Sequence, residues 1–310
     1  MLGAVLQVVV VVLGAPFLVG LMRQVRALAE GRAGAGVGQP WRDLRKLMRK
    51  EPITPHGTSE VFRLAPVLLV ATSVVVAAVV PFASTASALD PVADLFAVVA
   101  LLALGTAVLA LAGLDTGTAF GGMGASRAVT TLALVEPTLL LAIFALSVRV
   151  GSTNLGAITE STLQHPASVI SPVSLLAAVA LAVAIVAESG RLPVDNPSTH
   201  LELTMVHEAM VLEYGAADLA MVELASAMRL TVLLGLLANL FAPWGIATDA
   251  APLALLIGLV AFAAKVTLLG TLLAVGEVSM AKLRLFRVPE LLAGSFVLAM
   301  LAVAASFFLA

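Results

Sequence analysis

Residues 188–223 hold the densest set of side chains that could do chemistry. The stretch contains two of the four histidines, Arg191 and seven carboxylates, namely Glu188, Asp195, Glu202, Glu208, Glu213, Asp218 and Glu223. Buried carboxylates are costly unless they are paired, hydrated or protonated. Because apolar residues are interleaved with these charges, we expect a semi-buried helical segment at the cytoplasmic mouth of a helix bundle. Carboxylates spaced along a helix, with His207 between them, suit a hydrated proton path, since like charges raise one another's pKa.

Three other interpretations of this stretch remain open. His207-Glu208 is followed by no second histidine at the spacing that a zinc protease requires. His200 and His207 lie seven positions apart, which is weak support for a metal pair, so we expect no metal and no catalytic residue in this chain. A solvated charge face would explain the carboxylates but not the apolar residues between them. Thr199-x-x-Glu202 has the form of a capping box that opens a helix, and Gly215 is expected to end it.

Composition places the chain among membrane proteins. It is 61% hydrophobic and 12% charged, against about 45–50% and 25% in soluble domains. The net charge of −2 gives no reason to expect nucleic acid as a partner. Cysteine is absent, which excludes disulfides, thiolate zinc sites, iron–sulfur clusters and cysteine-ligated nickel in this chain.

The apolar runs predict an all-α polytopic membrane protein with a single membrane domain over residues 1–310. Each run is long enough for a helix that crosses a bilayer, and none alternates as a barrel strand would. We expect a short amphipathic surface helix and the semi-buried helical loop between spans five and six. The eight predicted spans are approximately 2–22, 64–82, 93–113, 128–149, 170–187, 229–247, 252–275 and 290–309.

Basic residues predict the orientation. Nine of the 17 lysines and arginines lie in 23–63, the loop after the first span. With eight spans, most of the others fall on the same side, which positive-inside statistics make cytoplasmic. Both termini are then expected outside, with residues 1–22 retained as the first span.

The first two cytoplasmic loops carry candidate docking residues. In 41–50, Trp41 and apolar residues at helical spacing share one face, and basic residues including Arg42, Arg45 and Lys46 occupy the rest. This pattern indicates an amphipathic helix at the membrane surface, either a lipid anchor or a docking ledge for a cytoplasmic partner. The loop 113–127 is too glycine-rich to be expected to be helical throughout. Its Asp115 and Arg127 are candidates for an ion pair.

Three charged residues within or at the end of predicted spans are candidates for function. Glu136 precedes Pro137, which frees a backbone carbonyl and admits water, so Glu136 is a functional candidate. Lys265, near the middle of the seventh span, would need a carboxylate partner or lose its proton, and Glu136 is one candidate partner. Glu277 lies at the cytoplasmic end of that span, where hydration is an equally good explanation.

Several motifs together resemble the NADH dehydrogenase subunit 1 superfamily. Glu188-Ser-Gly-Arg191-Leu-Pro-Val-Asp195, followed by glutamates ending at Glu213-Tyr214-Gly215, is similar to the E-x-x-R-x-P-x-D…E-Y pattern of the heel subunit of respiratory complex I. Further segments resemble the group 4 energy-converting [NiFe]-hydrogenase branch of this superfamily. That branch includes formate hydrogenlyase subunit 4 and hydrogenase-4 component C. The segments are Gly113-Leu-Asp-Thr-Gly, Gly124-Ala-Ser-Arg127, Val135-Glu136-Pro137, Gly151-Ser-Thr-Asn154 and Ser279-Met-Ala-Lys-Leu-Arg284.

The resemblance implies a non-catalytic subunit of an oxidoreductase complex in a bacterial or archaeal cytoplasmic membrane. Such subunits anchor a cytoplasmic arm, with a [NiFe]-hydrogenase-like large subunit and an iron–sulfur small subunit, and join it to antiporter-like membrane subunits. The [NiFe] centre and iron–sulfur clusters are therefore expected in partners. By position, the resemblance implies coupling roles for Glu136, Glu188, Arg191, Asp195, Glu202 and Glu213.

Departures from the complex I pattern favour the hydrogenase branch. His200, His207 and Asn196-Pro197 are among them, and they weaken the expectation of a quinone site. The leading hypothesis is a subunit that links a redox arm to proton or sodium translocation. One alternative is a quinone-binding heel subunit, which quinone bound beneath the amphipathic helix and facing Asp195 would identify. The other is a stand-alone ion transporter, for which an internal repeat would be typical.

Overall fold

The computed structural model describes residues 2–195, 205–249, 251–283 and 287–309. Within these ranges the chain is helical, apart from loops and two isolated bridges that join Ser84 to Ala247 and Asp94 to Asn154. The helices are α1 (Leu2–Ala29), α2 (Gln39–Leu47), α3 (Glu60–Val79), α4 (Leu95–Asp115), α5 (Ala119–Val150), α6 (Leu155–Gln164), α7 (Pro172–Glu188), α8 (His207–Val211), α9 (Ala216–Phe241), α10 (Pro252–Ser279) and α11 (Val288–Leu309), with short 3-10 helices at Asp90–Val92 and Pro166–Ile170.

The polytopic membrane architecture is confirmed. In the described residues, seven helices are long and apolar enough to cross a membrane, namely α1, α3, α4, α5, α9, α10 and α11. The predicted fifth span coincides with α7, an apolar helix of 17 residues that falls below that length. The exact count of eight therefore stays a prediction.

Two helices begin about two turns or more earlier than the sequence predicts. α5 starts at Ala119, with the Thr118 side chain as N-cap, so most of the predicted loop 113–127 is helical. Its glycines serve close packing: a Cβ on Gly121 would lie 2.3 Å from the carbonyl oxygen of Gly113. α9 starts at Ala216, well before the predicted residue 229, because the helix also includes the more polar residues that precede the apolar run.

The predicted loop helix is only partly within the described residues. Thr199 and Glu202, and with them the capping box, lie outside those residues, as does His200. What is described is the five-residue α8, which ends at Val211, so Gly215 is the N-cap of α9 and not the end of a longer helix.

The long helices alternate in direction, so their termini meet at two ends of the bundle. We call the end that carries α2, α8 and residues 188–195 the α2 end. α9 lies at the centre and contacts α1, α3, α7 and α10. α11 packs against α5 and α7, whereas α10 packs against α1 and α9 at the edge of the bundle. The main apolar core fills the space between these helices, with a smaller cluster around α8.

Candidate functional site

A cavity of about 530 Å³ opens at the α2 end. It lies beneath α2, between α1, α8, α9 and residues 189–195. Its apolar walls are Val19, Leu44, Leu47, Leu219 and Leu230, and its charged residues are Arg23, Arg26, Asp43, Arg191, Asp195, Glu208 and Glu223, together with His207. The volume lies within the range of small-molecule sites, about 300–1,000 Å³.

Glu277 neutralises two arginines beside this cavity. Its carboxylate is 4% exposed and accepts from Arg26 and Arg191, each across 3.3 Å. Burial lowers the pKa of Arg191, and the Glu277 charge opposes that shift. Both contacts are longer than the 2.7–2.9 Å of a tight charge-assisted bond, so the carboxylate is shared between two partners. The sequence left hydration as an equal explanation for Glu277, and the structure buries it in an ion-pair network.

Asp195 joins the 188–195 segment to the end of α10. Its carboxylate is 4% exposed and accepts from Lys282 Nζ at 2.8 Å. The backbone N–H of Leu283 also donates to the carbonyl of Pro193 at 2.9 Å. Asp195 and Lys282 have further interactions beyond this pair. Two segments that are distant in sequence are therefore joined beside the cavity.

A smaller cavity of about 100 Å³ continues the path into the bundle. It shares Ser189, Gly190, Asp195, His207, Ser226 and Leu230 with the larger cavity. Hydroxyl groups of Ser73, Thr106 and Thr131 line its inner part. These groups can hydrogen-bond to water in a site that is otherwise apolar.

Glu188 and Arg229 form a buried ion pair at the inner cavity. Glu188 also accepts from Thr106 Oγ1 at 2.9 Å, and Arg229 donates to the carbonyl of Leu102 at 2.5 Å. A Cβ on Gly105 would lie 2.7 Å from Arg229 Nη1, so glycine allows the guanidinium to approach α4. Arg229 Nε is buried without a hydrogen-bond partner in the described residues.

His207, Glu208 and Glu223 also face the larger cavity, and His207 lines both. Glu213 differs, because it is exposed and lines neither cavity. Its neighbour Tyr214 is buried, stacks on Phe62 with ring centroids 4.1 Å apart, and donates to the Phe62 carbonyl at 2.8 Å. The structure thus separates Glu213 from Asp195, His207 and Glu208, which line the cavities.

Glu136 and Lys265 are not partners. Glu136 is partly buried on α5, where Glu188 is the charge that acts on it, and it has no hydrogen bond or ion pair among the described residues. Pro137 also leaves the Ala133 carbonyl without its helical donor. Lys265 instead donates to Asn239 Oδ1 at 3.0 Å. The suggested pairing was wrong because α5 is not among the helices that pack on α10.

The predicted docking residues lie at the α2 end in three different settings. Trp41 packs against α1, donating to the Leu13 carbonyl at 3.1 Å, so it anchors α2 to the bundle. Arg42 is exposed and donates to the Ala35 carbonyl at 3.0 Å, whereas Arg45 and Lys46 are simply exposed.

Asp115 and Arg127 do not form the expected ion pair. Asp115 accepts from the backbone N–H of Ser59 at 2.7 Å, and Arg127 donates to the Met205 carbonyl at 2.9 Å. The two residues instead fix α3 to α4 and α5 to the start of the α8 segment.

Comparison with known proteins agrees with this architecture. The NADH dehydrogenase family model matches residues 2–309. The chain belongs to the NADH dehydrogenase family. It is 33% identical to hydrogenase-4 component C of Escherichia coli (strain K12), over 96% of this chain and 93% of that protein. It is also 33% identical to formate hydrogenlyase subunit 4 of the same strain, over 96% and 95%.

More distant relatives share the family and the fold. NADH-ubiquinone oxidoreductase chain 1 of Triticum aestivum is 30% identical over 74% of this chain and 71% of that protein. A subunit in the structure of the membrane-bound sulfane sulfur reductase (MBS), an archaeal respiratory membrane complex, superposes with a TM-score of 0.84 and covers 98% of both chains. At 22% identity this likeness concerns the fold alone.

In this member of the NADH dehydrogenase family, sequence reasoning missed the cationic half of the site. Arg26, Arg229 and Lys282 were not among the predicted site residues, yet each neutralises a buried carboxylate. Charge balance was the available signal, because each acidic residue next to an apolar run needs a counter-charge. The described residues contain no group of three or more potential metal ligands.

Proposed function

We propose that this chain is the membrane-anchoring and coupling subunit of an energy-converting hydrogenase-type complex. It would link a cytoplasmic redox arm to proton or sodium translocation. The two hydrogenase-branch relatives support this branch, since they share 33% identity over almost the whole chain. The complex I relatives share 28–30% over 70–74% of it.

The shared wall of the two cavities is the observation that carries the proposal. Asp195 and His207 face both spaces, so a titratable group stands at each step from the α2 end to Glu188. Glu136 is the next carboxylate inward, and the Glu188 charge acts on it. Protons can pass between such groups through hydroxyls and water, since a charge on one changes the proton affinity of the next.

Glu277, which pairs with both Arg26 and Arg191, offers a way for movement in the protein to act on this proton path. A movement of residues 189–195 would carry Arg191 toward or away from Glu277 and leave Arg26 as its remaining partner. Removing one partner from a buried ion pair is strongly unfavourable, so the neighbouring charges would have to reorganise. We propose that redox steps in a partner drive this movement and that Glu188 and Glu136 respond by taking up or releasing protons. Glu202 and Glu208 belong to the same proposed path. Glu213 and Lys265, which the sequence also suggested for it, line neither cavity and are not part of this proposal.

The assembly and orientation belong to the same proposal. A [NiFe]-hydrogenase-like large subunit and an iron–sulfur small subunit would dock on the basic surface formed by Arg42, Arg45 and Lys46. Antiporter-like subunits would lie alongside in the membrane. Both termini would then be outside a bacterial or archaeal cytoplasmic membrane, with the redox cofactors in the partners.

The quinone alternative keeps one observation in its favour. The larger cavity lies beneath α2 and faces Asp195, as a quinone site would. Its volume and apolar residues would admit a ring, with His207 as a hydrogen-bond donor. A photoreactive quinone that labels residues of this cavity, with protection by unmodified quinone, would support the alternative. Absence of labelling in a complex that turns over would exclude it.

Two substitutions test the coupling role. Glu188→Gln and Asp195→Asn remove a titratable charge at each end of the inner cavity while keeping side-chain shape. In inverted vesicles that contain the intact complex, we expect ion translocation per redox turnover to fall by about 100-fold, the lower end of the effect of a positioned proton-transfer group. Redox turnover with an artificial electron carrier should remain.

Glu213→Gln is the matched control, since Glu213 lies on the same segment but is exposed outside both cavities. We expect its vesicles to translocate ions as the unmodified complex does. Unchanged ion translocation in both Glu188→Gln and Asp195→Asn would contradict the coupling proposal.

A further inference from the structure

Lys265 is a charged side chain that the proposed path leaves without a clear task. It lies at the middle of α10, about 20 Å from either end at 1.5 Å per residue. Among the described residues its hydrogen bond is to Asn239 Oδ1 at 3.0 Å. It lines neither of the two cavities described above.

Asn239 is held in the orientation that receives this ammonium. Its Nδ2 donates to the carbonyls of Pro81 and Phe82, at 3.0 and 2.8 Å, in the segment that follows α3. The side chain is 2% exposed. The amide oxygen is therefore fixed toward α10, and it supplies one neutral acceptor to a group with three donors.

No carboxylate of the described residues lies within ion-pair distance of Lys265. Glu188 and Glu277 are committed to arginines. Glu136 is on α5, and α10 packs instead against α1 and α9. A cation at this depth is costly in a bilayer unless an anion or water compensates it.

The face of α10 beside Lys265 is open and shaped for a helix. Ala263, Ala264, Thr267 and Leu268 are exposed on it. Small side chains allow two membrane helices to approach closely, and polar groups at such contacts pair across the interface. Lipid tails would cover the apolar residues but would provide no acceptor for the ammonium.

We propose that this face of α10 binds a transmembrane helix of a partner subunit that carries an Asp or Glu at the depth of Lys265. The carboxylate would complete the coordination that Asn239 begins. The inference rests on the proposed function only in taking the chain as one subunit of a membrane complex. It assigns Lys265 to assembly and not to the proton path.

Site-specific crosslinking tests the contact in the otherwise unmodified chain. A photoreactive amino acid at Ala264 in the intact complex should form an adduct with one partner membrane subunit, at a transmembrane peptide that contains Asp or Glu. Adducts with lipid only, with a second copy of this chain, or with a helix that lacks a carboxylate would each overturn the proposal.

Charge substitutions test the chemistry. In Lys265→Met we expect that partner to be lost from the purified complex. Lys265→Arg, which keeps the positive charge, is the matched control and should retain the partner. Lys265→Glu combined with Lys at the crosslinked carboxylate should restore it. Retention of the partner in Lys265→Met would overturn the inference. If the Lys265→Met variant does not accumulate, the crosslinking at Ala264 decides whether the inference stands. Ion translocation in the Glu188 and Asp195 variants is a separate readout, so either proposal can fail without the other.

Discussion

Tyr214 supplies a hydrogen bond that is missing in a helix distant in sequence. Pro66 lies within α3 and has no N–H, so the Phe62 carbonyl lacks the donor that an unbroken helix would supply. The Tyr214 hydroxyl donates to that carbonyl at 2.8 Å, and its ring stacks on Phe62. The pair ties the segment after α8 to the start of α3.

Stability at alkaline pH should depend on Tyr214. Burial raises the pKa of Tyr214 above its ordinary value of 10.0, so from about pH 10 upward the unfolded chain loses a proton that the native chain keeps. Stability from this group is therefore present below pH 10 and declines as pH rises. Tyr214→Phe should cost about 1–3 kcal/mol at pH 8, because it leaves a buried carbonyl unpaired.

Thermal unfolding from pH 8 to 11 would measure both effects. Tyr214→Phe should lower Tm at pH 8 but show a shallower decline above pH 10 than the unmodified protein. Parallel Tm curves for the two proteins would count against a titrating Tyr214.

The packing of α5 against α8 depends on glycine. A Cβ on Gly124 would lie 2.8 Å from Ala209 Cβ and 2.9 Å from the Val206 carbonyl oxygen, whereas a Cβ on Gly122 would meet nothing within 4 Å. α8 carries His207 and Glu208 into the cavity, so the glycine surface of α5 sets the position of these groups.

Gly124→Ala should therefore displace α8, and Gly122→Ala should not. The added methyl at residue 124 would clash with Ala209 Cβ and with the Val206 carbonyl oxygen, and α8 has to move to relieve both contacts. We expect faster amide exchange over residues 205–211 in Gly124→Ala. In Gly122→Ala we expect unchanged exchange there and a gain in stability of about 0.5–1 kcal/mol from helix propensity. Equal exchange in the two variants would contradict this packing role.

The two ends of the molecule carry different kinds of polar contact. At the α2 end, Glu277, Asp195 and Glu188 are each paired with a basic residue. At the opposite end, Arg149 is held by hydroxyls of Ser171 and Ser174, at 3.0 and 3.1 Å. Charged groups that can exchange partners are thus concentrated where a peripheral arm would dock.

Topology can be tested directly because the chain has no cysteine. Thr54→Cys and Ala167→Cys place single exposed thiols at the two ends of the bundle. With a membrane-impermeant maleimide, Cys at 54 should react in inverted vesicles only and Cys at 167 in intact cells. Tags at both termini should be accessible from outside if α7 crosses the membrane. Tags accessible on opposite sides would show an odd number of spans.

The sequence by itself determined the helical membrane architecture, the amphipathic α2 and the dense charge of the 188–223 stretch. These features are local, since apolar length and helical periodicity are written in consecutive residues. The tertiary structure decided the partners: Glu277 with Arg26 and Arg191, Glu188 with Arg229, and Lys265 with Asn239 and not with Glu136. It also separated Glu213 from the cavities. Such pairings depend on which helices pack together and at what depth, and residues far apart in the chain carry no periodic signal of that.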